Sequence, residues 1–377
     1  MKDMKRVLQI FGTMNCGGAE TMLMNIYRNI DRTKIQFDFL VHCDDINNPP
    51  KGYYDDEIKE LGGKIFYIGS QGSLGILKYI CELKKFLKKN KYDTVHSHMD
   101  WLGGTVVFAD FLSGVKRRIV HSHTAKMSMS GLVGKVFLIL QKTLVRLFAT
   151  DRWACSVDAA QFLYGNSKSE VITNAIALEK FILPNEDKIQ EEKKKYKLSD
   201  DTILIGHVGT FSSVKNQLFL LDVAKLLSEK SADFKLILTG KNDTDYAQKV
   251  FDQIAEYGLG DKVICPGLRS DIYNFMNMID VFCFPSAYEG LGMVAVEAQA
   301  AGVPCIASEN VPKAIDVGVS PVVFLKTDSA EIWAEKILEF ADKKSTDKEM
   351  IKKKITEAGY DIAENAKRVE QFYLQEV

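Results

Sequence analysis

The 377-residue sequence has no C-x-x-C pair, no G-x-G-x-x-G behind a strand-like run, almost no net charge and no long apolar run. Each absence removes a class of function. Seven cysteines are scattered singly, an odd set that fits free thiols in a reducing cytosol better than a disulfide framework. A formal net charge of −1 argues against a nucleic-acid binder. No stretch of about 18 uncharged apolar residues is present, so no transmembrane helix is expected. The apolar run within Met1 to Phe11 is too short for a signal peptide. Without the dinucleotide fingerprint, a nicotinamide-dependent dehydrogenase is a weak reading. What remains, 46% hydrophobic and 26% charged residues, describes a soluble globular protein. Its length exceeds one typical core, so two domains are expected.

The pattern of apolar runs supports that division. Strand-like segments (Arg6 to Phe11, Ile35 to His42, Lys64 to Ile68, Thr94 to His98, Arg118 to Ser122, Arg152 to Ser156) alternate with helical ones (Ala19 to Asn29, Asp55 to Leu61, Leu74 to Asn90, Leu102 to Ser113, Gly131 to Ala149). Glu170 to Thr173 is a last strand before Asn174-Ala175-Ile176. After a charged surface helix and linker, Glu186 to Asp201, the alternation restarts from Thr202 to Gly209. Strand–helix alternation predicts parallel, doubly wound sheets, hence an α/β protein of two Rossmann-like halves meeting near Asn174. Ligands of such sheets sit at the carboxyl ends of strands, and with two halves in the cleft between them. The expected domains are 1–174, with the tail helix 359–377 packing back onto it, and 175–358.

The most informative stretch is Phe284-Pro-Ser-Ala-Tyr-Glu289-Gly-Leu-Gly-Met-Val-Ala-Val-Glu297-Ala-Gln-Ala-Ala-Gly302. It reads as the end of a buried strand, a glycine-rich turn and a helix from Met293 to Ala301 whose one charge is Glu297. A helix apolar all round is buried, and a charge within it needs a partner. Glu289, Gly290, Leu291, Gly292 and Met293 feed the same helix N-terminus, a place that binds anions. Carboxylates accept hydrogen bonds from hydroxyls, and free N–H groups bind phosphate. The ligand suggested is a phosphate-bearing polyol, a sugar nucleotide. The plain alternative is Glu297 paired with a core cation.

Other segments carry weaker signals. Gly17-Gly18-Ala19-Glu20 opens a helix after the first strand, and its N–H groups suit a phosphate or sugar, although glycine pairs in loops are common. Val95-His-Ser-His98 and Val120-His-Ser-His123 end successive strands, so their four histidines are expected to cluster. A metal is conceivable there. No carboxylate or cysteine lies at matching spacing, and hydrogen bonding to a sugar is preferred. Lys215 follows Gly209-Thr210 and precedes a helix, where a cation is unfavourable unless an anion binds. Asp243-Thr244-Asp245 imitates a metal-binding D-x-D but reads better as helix-capping aspartates. Basic residues at Lys84, Lys85, Lys88, Lys89 and Lys91, at Lys116, Arg117 and Arg118, and at Lys126, Lys135, Lys142 and Arg146 suit either an anionic lipid surface or a solvated face.

Taken together, these motifs resemble the group 1 retaining glycosyltransferases with the GT-B fold, and the resemblance covers nearly the whole chain. It rests on Glu289 and Glu297 at eight-residue spacing, Gly17-Gly18-Ala19-Glu20, the His-Ser-His ending at His123, Asn174-Ala175-Ile176 and Lys215. The resemblance implies that Glu297 holds the ribose hydroxyls. Glu289 and the N–H groups of Gly290 to Met293 would hold sugar hydroxyls and the distal phosphate, and Lys215 would neutralise the diphosphate. His123 would contact the donor sugar, Gly17 and Gly18 would close over the diphosphate, and Arg269 would lie near the base. Two positions depart from the pattern: Ala175 replaces a usual glycine, and Thr210 replaces a usual arginine. A second cation on the leaving diphosphate would then come from Arg269 or a first-domain side chain, or activity would be lower.

The expected activity is retaining transfer of a sugar from a nucleotide-diphosphate sugar, a UDP-sugar being favoured. The acceptor would be a glycan or lipid-linked saccharide, in exopolysaccharide or cell-surface glycan assembly. Lys215 and the helix N-terminus would stabilise the leaving group, so no metal cofactor is expected. The site would be cytoplasmic, with peripheral contact to the membrane's inner face. The rivals are a sugar-nucleotide epimerase, or a non-catalytic nucleotide-sugar-binding protein, for which Thr210 is the best argument.

Overall fold

A computed structural model describes residues 4–15, 17–124, 131–199 and 201–376. The chain forms two compact units, Met1–Ala175 with Ile362–Val377, and Ile176–Asp361. The first holds a seven-stranded sheet: β1 (Lys5–Phe11), β2 (Ile35–Cys43), β3 (Ile65–Gly69), β4 (Thr94–Ser97), β5 (Arg117–Ser122), β6 (Asp151–Ala154) and β7 (Glu170–Val171). The second holds six: β8 (Ile203–Val208), β9 (Phe234–Thr239), β10 (Val263–Gly267), β11 (Val281–Phe284), β12 (Cys305–Ser308) and β13 (Val322–Leu325). Every pairing between these strands is parallel. Parallel strands need long crossovers, and helices supply them, covering both sheet faces. That is why β2, β11 and β12 are buried at every residue and read as apolar runs.

The orders are β3-β2-β1-β4-β5-β6-β7 and β10-β9-β8-β11-β12-β13. Each sheet therefore reverses direction once, between β1 and β4 and between β8 and β11. At such a switch point the loops leaving two neighbouring strands diverge and open a crevice beyond their carboxyl ends. The loops after β1 and β4 carry Gly17 and His98, and those after β8 and β11 carry Lys215 and Glu289.

The C-terminal helix Ile362–Leu374 belongs to the first unit. Phe372 lies 4.7 Å from Trp153 between ring centroids, and Tyr373 meets Phe37 edge-on at 5.7 Å. Tyr373 is thus buried in the first unit's core, with half-buried Phe372 packed beside it.

Some local expectations change. The helix expected from Leu74 to Asn90 is two helices, Gln71–Leu74 and Ile76–Asn90, broken at Gly75 with φ 75°. The buried strand ending at Phe284 begins at Val281, because Ile279 still closes the helix Ile272–Met278 through its N–H to the Phe275 carbonyl. Helices Val157–Tyr164, Leu178–Ile182 and Lys348–Glu357 had no clear sequence signal.

Candidate active site

In the second unit the site residues gather at the β8/β11 switch point. The loop after β8 is pinned by Gln217, whose side-chain N–H groups donate to the carbonyls of Gly209 and Thr210 at 3.4 and 3.2 Å. The same amide meets Nε2 of the fully buried His207, whose Nδ1 donates to the Cys283 carbonyl on β11 at 2.9 Å. Burial holds that imidazole near pKa 4, so it stays neutral and acts as a fixed strut. The Ala287 N–H then donates to the Val214 carbonyl at 2.8 Å, tying the loop after β11 to the loop after β8. These bonds set Lys215 against Glu289, and the two side chains form an ion pair.

Beyond Glu289 the chain turns sharply into the helix Met293–Ala300. Gly292 caps that helix with φ 83°, where a Cβ would meet the Phe284 ring at 2.9 Å, so a side chain is excluded. Among the described residues, the N–H groups of Gly290, Leu291 and Gly292 have no hydrogen-bond acceptor. Free donors at a helix N-terminus form an anion cradle. Glu297 lies one turn further on. Its carboxylate has no hydrogen bond and no ion pair among the described residues, so the core-cation alternative fails. Burial raises its pKa to about 7, with no neighbouring charge contributing. A half-buried carboxylate without a partner, beside free N–H groups, is arranged for a ligand carrying hydroxyls and phosphate.

In the first unit the four histidines do cluster. His96, His98, His121 and His123 stack with ring centroids 4.2–5.3 Å apart. Burial holds all four imidazoles well below their usual pKa, His123 at about 3. His98 Nδ1 lies 3.0 Å from His123 Nε2, and His98 Nε2 lies 3.0 Å from Gln9 Oε1. His96, His98 and His121 each bring a ring nitrogen within 4.8 Å of the others'. A metal ion, however, draws lone pairs lying in converging ring planes. These rings are stacked, and both nitrogens of His98 are already engaged, so the cluster fits a hydrogen-bonded stack better than a metal centre.

Asp100 holds the backbone after β5. Its carboxylate accepts the N–H groups of His123 and Thr124, the latter at 3.0 Å, from a backbone with φ 50°. That conformation is uncommon for a residue with a side chain and marks a held loop. Gly17 caps the helix Gly18–Asn29, and a Cβ at Gly18 would lie 3.9 Å from the Asn174 amide. The loop after β1 thus reaches the end of the first unit's main segment.

Several candidates lie elsewhere or act differently. Arg269 is ion-paired to Glu192 and Asp271, which ties it to the helix Glu186–Lys195. A guanidinium held by two carboxylates is poorly placed to replace the arginine missing at Thr210, which is exposed. Thr244, not the aspartates, caps the helix Asp245–Glu256 through its hydroxyl to the Ala247 N–H. Arg117 and Arg118 do not face outward to lipid: Arg117 donates to the Phe372 carbonyl at 2.7 Å, and Arg118 donates to the Phe148 carbonyl at 2.8 Å. Lys142 donates to the Phe162 carbonyl at 2.5 Å. Lys126 lies outside the described residues. On the helix Gly131–Phe148 Lys135 and Arg146 are exposed, beside the exposed apolar side chains of Leu132, Val133, Val136, Ile139, Leu140 and Leu147. Sequence reasoning missed Gln9, Asp100, Gln217 and Tyr373, since lone polar residues in apolar runs look like chance.

Residues 188–357 match the family "Glycosyl transferases group 1". The Bacillus subtilis protein EpsF, named as a glycosyltransferase, is 37% identical over 369 residues, covering 96% of this chain and 94% of its own. The Staphylococcus aureus capsular polysaccharide biosynthesis glycosyltransferase CapH is 28% identical over 303 residues, covering 78% of this chain and 79% of its own. The solved structure of Anabaena Alr3699/HepE with UDP superimposes with a TM-score of 0.75 at 20% identity, covering 98% of this chain and 99% of its own. Likeness in sequence along almost the whole length and in fold across both sheets agrees with the site's geometry: the chain belongs to the group 1 glycosyltransferases and is an enzyme with the two parallel-sheet domains of the GT-B fold.

Proposed function

We propose that this glycosyltransferase moves a sugar from a UDP-sugar to a lipid-linked saccharide with retention of configuration and without a metal, in the assembly of a cell-surface polysaccharide. The observation that carries this is Glu297, an unpartnered half-buried carboxylate beside the free N–H groups of Gly290 to Gly292. In this reading Glu297 accepts the ribose hydroxyls, and the N–H groups with Lys215 hold the diphosphate. Breaking the bond from anomeric carbon to phosphate builds negative charge on the diphosphate, and fixed donors stabilise it as it forms. Glu289 and His123 face the sugar, and the acceptor hydroxyl attacks from the side the diphosphate leaves. UDP bound in the HepE structure supports the choice of base, and the name of CapH supports the polysaccharide.

The first unit supports the acceptor. A cavity of about 440 Å³ opens beyond the carboxyl ends of β1 to β3, lined by Gly12, Thr13, His42, Asp44, Gln71 and Met99 among others. The buried atoms His42 Nδ1 and Gln71 Oε1 have no partner there. Polar groups around a cavity suit a saccharide. The apolar stripe on Gly131–Phe148, flanked by Lys135 and Arg146, suits the surface of an anionic bilayer, from which a lipid-linked acceptor would be drawn. No helix among the described residues is long and apolar enough to cross a membrane.

A thermal-shift screen against UDP-, GDP-, ADP- and TDP-sugars tests the reading. Ligand stabilisation follows concentration over affinity, so a UDP-sugar should raise Tm most. Donor turnover to an isomeric sugar nucleotide without acceptor would favour an epimerase. Binding with neither transfer nor slow hydrolysis would favour a non-catalytic protein.

A further inference from the structure

The histidine stack continues into the core as a single hydrogen-bonded chain. From His123 it runs through His98 to Gln9, then from Gln9 Nε2 to the Tyr373 hydroxyl at 3.3 Å, and from that hydroxyl to His96 Nδ1 at 2.6 Å. Gln9 lies on β1, and Tyr373 on the helix Ile362–Leu374. Apart from half-buried His123, every member is buried.

A carboxamide differs from a ring nitrogen in that its two ends are chemically unlike. Gln9 Oε1 can only accept, so His98 Nε2 carries a proton. His98 is neutral, because burial depresses its pKa. Its Nδ1 is therefore a lone pair, and His123 must donate to it through Nε2–H. His123 is neutral as well, so its Nδ1 is left unprotonated. That atom has no partner among the described residues. At the other end Gln9 Nε2–H donates to the Tyr373 oxygen, and the Tyr373 hydroxyl donates to His96 Nδ1. Each bond fixes the direction of the next.

We infer that Gln9 and Tyr373 are positioning residues that set the tautomer of His123 through His98, so that His123 presents an Nδ1 lone pair to a hydroxyl of the bound sugar. The functional half rests on His123 facing the donor sugar, as proposed above. Reversing the Gln9 amide would reverse every bond in the chain and turn Nδ1 of His123 into a donor. As placed, the Tyr373 oxygen accepts the amide N–H; in the reversed chain the same hydroxyl would donate to the amide oxygen, so the amide is paired in either direction only while the hydroxyl is present. Without the hydroxyl, the present orientation leaves a buried N–H unpaired, whereas the reversed one leaves a buried oxygen unpaired. The second is the more readily tolerated.

The test uses the full chain with ¹⁵N-labelled histidine and long-range ¹H–¹⁵N correlation spectra, which separate Nδ1–H from Nε2–H imidazole. The expected results are Nε2–H at His123 in the parent protein and a shift towards Nδ1–H in Tyr373→Phe. In Gln9→Glu, Tyr373→Phe the side chain has no N–H to orphan and accepts from His98, so His123 should return to Nε2–H while the hydroxyl is still missing. A role of Tyr373 in packing alone would not be reversed in this way. Nδ1–H at His123 in the parent, or a tautomer unmoved by Tyr373→Phe, would overturn the inference. Donor kinetics separate it from the reading of the site. A changed tautomer should raise KM for the sugar nucleotide or lower kcat. A changed tautomer with unchanged kinetics would overturn the functional half and remove His123 from the sugar site.

Discussion

The ammonium of Lys215 is ion-paired with the carboxylate of Glu289 across the β8/β11 switch point of the second sheet. The pair is only partly shielded from water. Neither side chain is locked in the core, and an arriving diphosphate can compete for the ammonium. On the proposed reading Glu289 would then be free to accept hydroxyls of the attached sugar, and the ion pair would hold both groups in place until the donor takes them over.

Lys215→Ala should lower kcat/KM by about tenfold or more, since charge-assisted hydrogen bonds contribute roughly 1.5–3 kcal/mol and each ~1.4 kcal/mol is a decade in rate. Steady-state kinetics check this. A near-normal Lys215→Ala enzyme would remove Lys215 from the site.

The loss in Lys215→Ala should exceed that in Arg269→Ala measured by the same assay. Arg269 is bound to Glu192 and Asp271, so its removal should instead lower Tm by loosening the helix Glu186–Lys195. Equal rate losses with unchanged stability would return Arg269 to the nucleotide.

Burial lifts the Glu297 carboxyl from 4.5 to about 7. The folded pKa is the higher one, so the stability linked to this group is complete below pH 4.5 and is lost as pH rises through about 7. Glu297→Gln should therefore raise the Tm of the free protein more at pH 8 than at pH 5. Nucleotide affinity should run the other way. If ribose hydroxyls donate to the charged carboxylate, as proposed, binding should tighten as pH rises from 6 to 8 and should release a proton. Calorimetry in buffers of different ionisation enthalpy measures that proton.

The switch-point loops were legible in the sequence because backbone chemistry wrote them there. Gly292 must be glycine to hold its left-handed φ against Phe284, and Glu297 is the one charge in an apolar helix. The sheets were legible because strands covered on both faces read as apolar runs. Three things were not. The Gly75 break interrupts a helix pattern without changing its period. Arg269 looks free in sequence, and its partner Glu192 is 77 residues away. Gln9, Asp100 and Tyr373 act through contacts between distant segments, which a single chain does not display.

Activity should survive EDTA. On the proposed reading Lys215 and the free N–H groups would supply the positive field on the diphosphate, and Asp243 and Asp245 flank a capping threonine. Loss of transfer in EDTA, restored by magnesium or manganese, would reject the metal-free reading.

Leu132→Asp with Val136→Asp should weaken binding to vesicles rich in anionic lipid, because Leu132 and Val136 are 78% and 56% exposed on one stripe of an 18-residue helix. Flotation with anionic and zwitterionic vesicles measures it. Binding unchanged by the substitutions would place the membrane contact elsewhere.

The central claim is that Glu297 holds the nucleotide of the donor. Titrating UDP into the parent protein and into Glu297→Ala in a calorimeter at pH 8 tests it most directly. The account predicts saturable binding by the parent and about a tenfold or greater loss in the variant, the effect of removing a charged hydrogen-bond acceptor. Equal affinity in the two proteins would contradict it.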